Sequence, residues 1–494
     1  MRKTKKTLDV ITNKAIDILG KKELFYFILF IAVFQGVWYA LSIIPGMFDE
    51  VRHIDAIMFQ KELINPFIDS QPEHWDIIGN GIRDPSYLFY YLMSWPVRLI
   101  AAITNNQAAQ VIALRLIMVG FFTWALFLWR KALLRLSISP ISINVGLLFV
   151  VLTPATAPLA GTINYDNLIF FATALCLLFS IKVINTKRIE INSLIGLLAT
   201  GMFFSVIKYT FLAIFIPILA YTLWRLFSSY GKKLPSLLRS SFKQLSSAGK
   251  IVGVLLLVIS FGLFLERPIY NTVRYGNPKP ACKQIIDERR CSANDLIKSR
   301  ITLQKNRPAD FKPKSPFEYG LKNWAPIMIT GSSRVINAQT PTIVMHFLYY
   351  SFAFTGIGMV IYYLRDHLQF KANILLLIVV LTYLAVLFLT NYSSYNKNAG
   401  VVAVNARYFL PVLPILLVFV AESFLRALRK YRAVSTVLLT VIILSFSQGG
   451  GLISTLIVFN QQHYWNNSLV IQVNNKTKKA LHNIVFERTP FRRL

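Results

Sequence analysis

Long apolar stretches are the feature of this sequence that most restricts its fold. A helix needs about 20 mostly apolar residues to cross the hydrocarbon core of a membrane, and about eleven stretches of the chain approach that length. They are 24–44, 110–129, 141–160, 167–184, 193–207, 209–226, 251–265, 342–363, 372–390, 407–425 and 433–458. Of the 494 residues, 55% are hydrophobic and only 15% are charged, which is too apolar for a soluble protein of this length. We therefore expect an all-α integral membrane protein with about 11 transmembrane helices, within a range of roughly 10 to 13.

The positions of the basic residues predict the orientation of the chain. The net charge is +31, but the basic residues do not form one face or one module, so no nucleic acid is expected as a partner. Most of them fall in short alternate connections between the apolar stretches. These connections are 1–23, 130–135, 182–188, 225–250, 365–371 and 426–432. The positive-inside rule puts them in the cytoplasm, so the loops 45–109 and 266–341 and the tail 459–494 are expected outside.

The N-terminal segment is not expected to be removed by a signal peptidase. Residues 1–23 are basic, and the apolar stretch 24–44 that follows has full spanning length. No cleavage site of small residues closes that stretch, so it is interpreted as a first membrane anchor and not as a removable signal peptide.

The first loop, 45–109, is acidic. Between residues 45 and 86 it carries eight of the 22 carboxylates of the chain. Apolar residues at helical spacing predict an amphipathic helix over 50–64 that lies on the membrane. The segment 86–103 contains Pro96 and Arg98, and it is expected to be interfacial rather than spanning.

The second long loop, 266–341, is basic, with fourteen Lys and Arg residues against six carboxylates. Its prolines predict a partly irregular segment folded over the membrane mouth. It is either a solvated loop or a lid that attracts an anionic substrate. Cys282 and Cys291 in this loop can form a disulfide in an oxidising compartment, although spacing alone leaves free thiols equally open. Cys176, inside a span, is expected to be a small buried apolar side chain.

Two adjacent carboxylates, Asp49 and Glu50, follow the first apolar stretch. At the end of a span a carboxylate is partly desolvated, and two neighbours oppose each other's ionisation. One of them could act as a general base towards a hydroxyl group while cations hold a leaving phosphate. Alternatively, Asp49 caps the next helix and Glu50 is a surface charge. His53 is either a donor or acceptor contact or an ordinary interfacial residue.

Two later polar segments are expected on the same face of the membrane. Asp166, in the segment 161–168, either caps the following helix or orients a sugar hydroxyl, an acceptor or a metal. Arg407, in the segment 405–414, lies at the mouth of a late span. It either snorkels to the membrane surface or binds phosphate through its planar guanidinium group.

Together these segments resemble the GT-C superfamily of polytopic glycosyltransferases, which includes protein O-mannosyltransferases, lipid A aminoarabinose transferases and the catalytic subunits of oligosaccharyltransferase. The resemblance depends on four segments, in this order and on one face. They are Asp49-Glu50, Asp84-Pro85-Ser86-Tyr87-Leu88, Asn164-Tyr165-Asp166 and Arg407-Tyr408-Phe409-Leu410-Pro411.

The resemblance implies a GT-C-like arrangement of the transmembrane domain 24–458. It also implies transfer of a sugar from a polyprenyl-phosphate donor to a lipid, glycan or protein acceptor of the cell envelope. The reaction would occur on the extracytoplasmic face of the cell membrane, surrounded by membrane lipids. Asp49 would be the catalytic base, with Glu50 as its alternative. Contacts to donor or acceptor are expected from His53, Asp84, Asp166, Arg407 and Tyr408.

The resemblance also bears on metals and on the end of the chain. Asp166 is a single carboxylate, unlike the acid pair that holds a metal in oligosaccharyltransferase, so a divalent metal is possible but not favoured. No cofactor is expected to be obligatory. Only the short tail 459–494 follows the last span, where members of the superfamily often carry a large soluble domain.

Two other classes stay open from the residues alone. A transporter or flippase of lipid-linked sugars would carry ionisable residues deep in several spans, whereas Arg115 and Lys208 each lie near the end of an apolar stretch. A pair of broken helices in matching halves, which often marks a transporter, is not apparent. A non-enzymatic membrane scaffold would not require carboxylates and an arginine to converge at the outer ends of the spans. The residues do not specify the sugar or the acceptor.

Overall fold

The computed structural model describes residues 17–482, except 47–48, 80, 187, 334–342, 402–403, 428–436, 439, 444–455 and 457–460. The described chain is built from helices, and its one pairing of extended backbone is an isolated bridge between Ile43 and Tyr464. Most of the expected span 433–458 lies outside the described residues.

The α-helices are numbered in chain order. They are α1 Lys22–Ser42, α2 Glu50–Gln60, α3 Leu88–Ala101, α4 Gln107–Leu133, α5 Pro140–Leu152, α6 Thr156–Ala160, α7 Asp166–Asn185, α8 Ile191–Ile207, α9 Leu212–Tyr230, α10 Leu234–Lys243, α11 Ser247–Tyr275, α12 Cys282–Ile285, α13 Glu288–Cys291, α14 Asp295–Lys305, α15 Pro316–Tyr319, α16 Ala325–Ser333, α17 Ile343–Tyr362, α18 Leu364–Leu368, α19 Lys371–Asn398, α20 Leu413–Ala427 and α21 Ser468–His482. Short 3-10 helices cover Glu73–Ile78, Tyr209–Phe211, Gly231–Lys233, Ala406–Phe409 and Gln461–His463. A π-helical turn covers Gly320–Trp324.

Six helical segments of the described chain are long and apolar enough to cross a membrane. They are Lys22–Ser42, Gln107–Leu133, Asp166–Asn185, Tyr209–Lys243, Ser247–Tyr275 and Lys371–Asn398. Shorter apolar helices cover Pro140–Leu152, Ile191–Ile207 and Tyr350–Tyr362. The protein is therefore a helical protein embedded in a membrane, but the expected count of about 11 spans is not confirmed.

The stretch 141–160, which we expected to be one span, is broken into α5 and α6. Pro154 follows directly on Thr153, whose ψ of 126° has already left the helical region. A proline disfavours helical geometry at the residue before it and cannot donate a backbone hydrogen bond. α6 ends at Ala160, and a Cβ atom on the next residue, Gly161, would lie 2.7 Å from the carbonyl oxygen of Gly36. This close approach to α1 requires a glycine.

Two other helix boundaries differ from expectation because of contacts with the first loop. α2 ends at Gln60 and not at 64, since the Arg98 guanidinium donates to the carbonyls of Gln60 and Lys61, both at 3.1 Å. α11 continues into the segment expected to be loop, up to Tyr275. Two buried side chains near its end contact the first loop: Arg267 donates to the carbonyl of Pro66 at 2.8 Å, and Asn271 donates to the carbonyl of Arg83 at 2.9 Å.

Polar contacts gather at two opposite ends of the helices. At one end Asn144 donates to the carbonyls of Leu19 and Lys21, and Glu422 accepts from the backbone N–H of Ser139. These residues adjoin the connections that were predicted to be cytoplasmic. The other end, which we call the site end, carries the first loop, the 161–166 turn and the segment around residue 407.

Candidate functional site

Asp49 stands in the turn between α1 and α2. It occupies the N-cap position of α2 but makes no side-chain capping bond, and its φ of 64° is left-handed. Its carboxylate instead accepts a hydrogen bond from Arg407 Nη2 at 2.6 Å, and 44% of the side chain is exposed. The alternative in which Asp49 caps a helix is therefore wrong.

Asp166 opens α7, but the cap of that helix comes from Asn164. Asn164 Oδ1 accepts from the backbone N–H groups of Asp166 and Asn167 at 2.8 and 3.3 Å. The buried Asp166 carboxylate is left for other contacts: it accepts from the ammonium group of Lys208. Its Oδ2 also lies 3.7 Å from Arg407 Nε. The capping alternative is thus wrong for Asp166 as well.

Arg407 lies between the two carboxylates. It is held in the 3-10 helix Ala406–Phe409, where Asn405 Oδ1 accepts its backbone N–H at 3.0 Å. Only 5% of the residue is exposed, so it does not snorkel to the surface. Tyr408 follows, with its hydroxyl 3.4 Å from Arg407 Nη2. The site therefore has an ionic bridge that runs from Asp49 through Arg407 to Asp166.

Lys208, which the sequence placed only near the end of an apolar stretch, is also a residue of the site. It is extended, with φ of −148°, between α8 and the 3-10 helix Tyr209–Phe211. Its ammonium group lies over the rings of Tyr165 and Tyr408, at 4.5 and 4.8 Å from their centroids. The signal was present, because a lysine between apolar segments at a membrane is a functional candidate by default.

Asp84, in the first loop, supports the segment that carries Lys208. Its Oδ1 accepts the backbone N–H of Ser86 at 2.7 Å. The hydroxyl of Ser86 accepts in turn from the backbone N–H of Tyr209 at 3.0 Å. Asp84 thus holds the turn that packs beside Lys208.

Glu50 is fully buried, so its interpretation as a surface charge is wrong. Arg115 donates to both of its carboxylate oxygens, at 2.7 and 2.6 Å, and the backbone N–H of Ile163 donates at 2.9 Å. Arg115 also donates to the carbonyl of Ala40 near the end of α1. This buried pair joins α1, α2, α4 and the 161–166 turn, and so fixes the turns that carry Asp49 and Asp166.

His53 is buried as well, with 3% exposed, so it is not an ordinary interfacial residue. Its Nδ1 lies 3.2 Å from the hydroxyl of Tyr90. Burial, with the Arg407 charge as a second cause, lowers the pKa of His53 to about 3. The imidazole is therefore neutral at physiological pH.

The electrostatics of Asp49 favour its ionised form. Burial alone would raise the pKa of this carboxyl, but the charge and hydrogen bond of Arg407 outweigh it, and the pKa lies below its usual range. A carboxylate that is charged at neutral pH can accept a proton during a reaction.

The basic loop folds onto the acidic first loop. Cys282 and Cys291 form the disulfide that was one of the two open alternatives, with Cα atoms 5.9 Å apart. Beside it, Arg290 donates to both carboxylate oxygens of Asp76 at 2.7 and 2.9 Å. Asn294 donates to the carbonyl of Ile77 at 2.7 Å. This part of the loop, which we call the lid segment, is thus docked on the first loop through these side-chain contacts.

Among the described residues, no group of three or more His, Cys, Asp and Glu side chains is arranged to hold a metal ion. The chain matches no protein-family model, and no curated protein matches it. The chemistry of the site therefore carries the functional interpretation.

Proposed function

We propose that this protein is a GT-C-type glycosyltransferase that moves a sugar from a polyprenyl-phosphate donor to an acceptor of the cell envelope. The observation that carries the proposal is the meeting of Asp49, Arg407, Asp166 and Lys208 at one end of a membrane-embedded helix bundle. A base beside two cations is what transfer from a lipid phosphate requires. We place this end on the extracytoplasmic side of the cell membrane.

The reaction assigns each group a role. Asp49 takes the proton of an acceptor hydroxyl while the hydroxyl oxygen attacks the anomeric carbon of the sugar. The bond between that carbon and the phosphate oxygen breaks, and the phosphate leaves with the electron pair. Arg407 and Lys208 offset the charge that develops on the leaving phosphate. The products are the glycosylated acceptor, free polyprenyl phosphate and a protonated Asp49.

The ion pair between Asp49 and Arg407 couples donor binding to activation of the base. Arginine binds phosphate through the same N–H groups that it offers to a carboxylate. A donor phosphate at Arg407 would replace Asp49 and free that carboxylate for the acceptor. Asp166 would meanwhile retain Lys208.

Binding of the bare carrier lipid tests the phosphate site. With purified protein in nanodiscs, Arg407→Gln should weaken binding of undecaprenyl phosphate by roughly 10- to 100-fold, as expected for a lost charged hydrogen bond. Arg426→Gln is the matched control, because Arg426 pairs with Glu422 at the opposite end, at 2.8 Å. Equal affinities of wild type and Arg407→Gln would refute the phosphate site.

Product analysis separates a transferase from a transporter. Labelled undecaprenyl-phosphate sugars would be supplied with membranes of the source organism as acceptor. We expect labelled acceptor and free undecaprenyl phosphate in equal amounts. A transporter would bind the same lipids and leave the bond between sugar and phosphate intact, so the absence of both products would contradict the transferase.

A further inference from the structure

One nitrogen of a buried side chain at the site has no hydrogen-bond partner. His53 Nε2 is inaccessible to solvent, and no partner for it lies in the described part of the chain. Buried polar atoms are nearly always hydrogen-bonded in native proteins, so an exception calls for an explanation. At a site that holds a substrate, the missing partner is most simply an atom of that substrate.

The imidazole ring is fixed in place by its neighbours. The hydroxyl of Tyr90 holds Nδ1, and the ring of Tyr165 packs edge-on against it with 4.8 Å between centroids. Phe89 packs edge-on at 5.9 Å. A ring in contact with three aromatic neighbours, Phe89, Tyr90 and Tyr165, keeps the direction of its free nitrogen, as a group that binds a ligand selectively must.

A second unsatisfied atom lies near this ring. Asp166 directly follows Tyr165, and its Oδ2 has no hydrogen-bond partner in the described chain, although Arg407 Nε lies at 3.7 Å. Asp49, Asp166, Lys208 and Arg407 all act electrostatically on His53. The two unsatisfied atoms therefore lie on either side of Tyr165, whose ring packs on His53 and which precedes Asp166 in the chain.

The chemistry of these atoms suits a hydroxyl and not a phosphate. A neutral imidazole nitrogen and a carboxylate oxygen have no positive charge to offer an anion. A sugar hydroxyl both donates and accepts, so it can satisfy either tautomer of the imidazole and also donate to a carboxylate. The phosphate has Arg407 and Lys208 instead.

We infer that His53 Nε2 and Asp166 Oδ2 hydrogen-bond hydroxyl groups of the sugar on the lipid donor, and that they contribute to selection of that sugar. This inference rests on the proposed function. It adds a sugar subsite beside the phosphate site.

Comparison of two lipids tests the subsite. Affinities of purified protein would be measured for bare undecaprenyl phosphate and for undecaprenyl phosphate carrying glucose, galactose, mannose or arabinose. His53→Phe keeps a flat ring but removes the nitrogen. It should weaken the preferred sugar-bearing lipid on the order of 10-fold, the effect of one lost hydrogen bond in a buried site, and leave bare undecaprenyl phosphate unchanged. His53→Gln, which retains a donor and an acceptor, should recover part of the loss.

The control and the other outcomes separate the inference from the proposed function. His74→Phe changes an exposed histidine of the same loop, and it should leave both affinities unchanged. If His53→Phe weakens neither lipid, or both equally, the sugar subsite is wrong while the phosphate site stands. If the wild type binds neither bare nor sugar-bearing undecaprenyl phosphate, the proposed function fails and the inference fails with it.

Discussion

The left-handed backbone at Asp49 matters for how this residue can be tested. Most side chains adopt such a conformation only at a cost, but aspartate and asparagine tolerate it because they are short and polar. Asp49→Asn therefore preserves both the turn and the shape of the side chain. It removes only the negative charge and the basicity.

Loss of the base should reduce turnover. We expect Asp49→Asn to lower kcat by roughly 10²- to 10⁴-fold, the usual contribution of a general base. Asp55→Asn, in the helix α2 that follows Asp49, is the control and should keep activity. The measurement is sugar transfer by purified protein; a wild-type rate in Asp49→Asn would remove Asp49 from the mechanism, and Glu50 would then be tested in the same way.

The pH profile should lack an acidic limb, because the pKa values of Asp49 and His53 are both lowered. A carboxyl with a lowered pKa becomes protonated only when the pH falls below its usual range, about 4 for aspartate. His53, with a pKa near 3, also stays neutral above that range. We therefore expect kcat/KM, which reflects the free enzyme, to show no acidic limb between about pH 5 and 8. A limb near pH 6.5, the ordinary pKa of histidine, would show that His53 titrates in the working site.

Substitution of Glu50 should lower the stability of the protein more than substitution of Asp49. Glu50→Gln leaves the Arg115 charge buried without its partner charge, and breaking such a pair costs about 3–5 kcal/mol. We expect a clearly lower Tm in detergent for Glu50→Gln and a Tm close to wild type for Asp49→Asn. Equal Tm values for the two variants would contradict the bracing role of the buried pair.

At the scale of elements, sequence patterns predicted most helices but fewer of their ends. Apolar length alone indicates a span such as α1 or α4. The early end of α2 depends on Arg98 from another helix, and the extension of α11 depends on its docking to the first loop. Tertiary contacts of this kind override local propensity and cannot be read from the segment itself. The break at Pro154 was also missed, since 141–160 was expected to be one span, but its cause is the local effect of the proline on the backbone.

The disulfide in the lid should stabilise the contact between the two loops. The bridge closes a loop with a sequence separation of 9, which corresponds to about 2–3 kcal/mol in the chain-entropy description. The double variant Cys282→Ser/Cys291→Ser should loosen Arg290 from Asp76 and speed hydrogen exchange over 282–305. Cys176→Ala, outside the lid, is the control. Unchanged exchange in the double variant would show that the lid docks without the bridge.

For the whole molecule, the two ends of the helices should face opposite sides of the membrane. Single cysteines at Ser70, Arg300 and Lys397 should react with an impermeant reagent from outside. Cysteines at Lys131 and Ser236 should react only after permeabilisation. These positions are exposed in the structure, so failure to react reflects sidedness and not burial. Labelling of position 131 from outside would reverse the orientation.

The alternation of spans explains why part of the site was predictable. An odd number of crossings between Asp49, Asp166 and Arg407 would separate them, and the charge pattern predicted that they share one end. The partners of these residues were not predictable. Spans that are apolar all round do not show which face turns inward, so the approach of Lys208 to Asp166 and of Arg115 to Glu50 depends on helix rotation. The hydrogen bond of His53 to Tyr90 could not be predicted from the sequence for the same reason.

The ion pair between Asp49 and Arg407 joins residues 358 positions apart in the chain. During synthesis, the early helices enter the membrane long before the segment around residue 407 has left the ribosome. Until then the arginine near Asp49 is Arg52, one turn further along the chain at 4.0 Å, and Asp166 has at most Lys208. A nascent or prematurely terminated chain therefore cannot form the ionic bridge from Asp49 through Arg407 to Asp166, and under the proposed function it would leave the sugar-bearing lipid untouched.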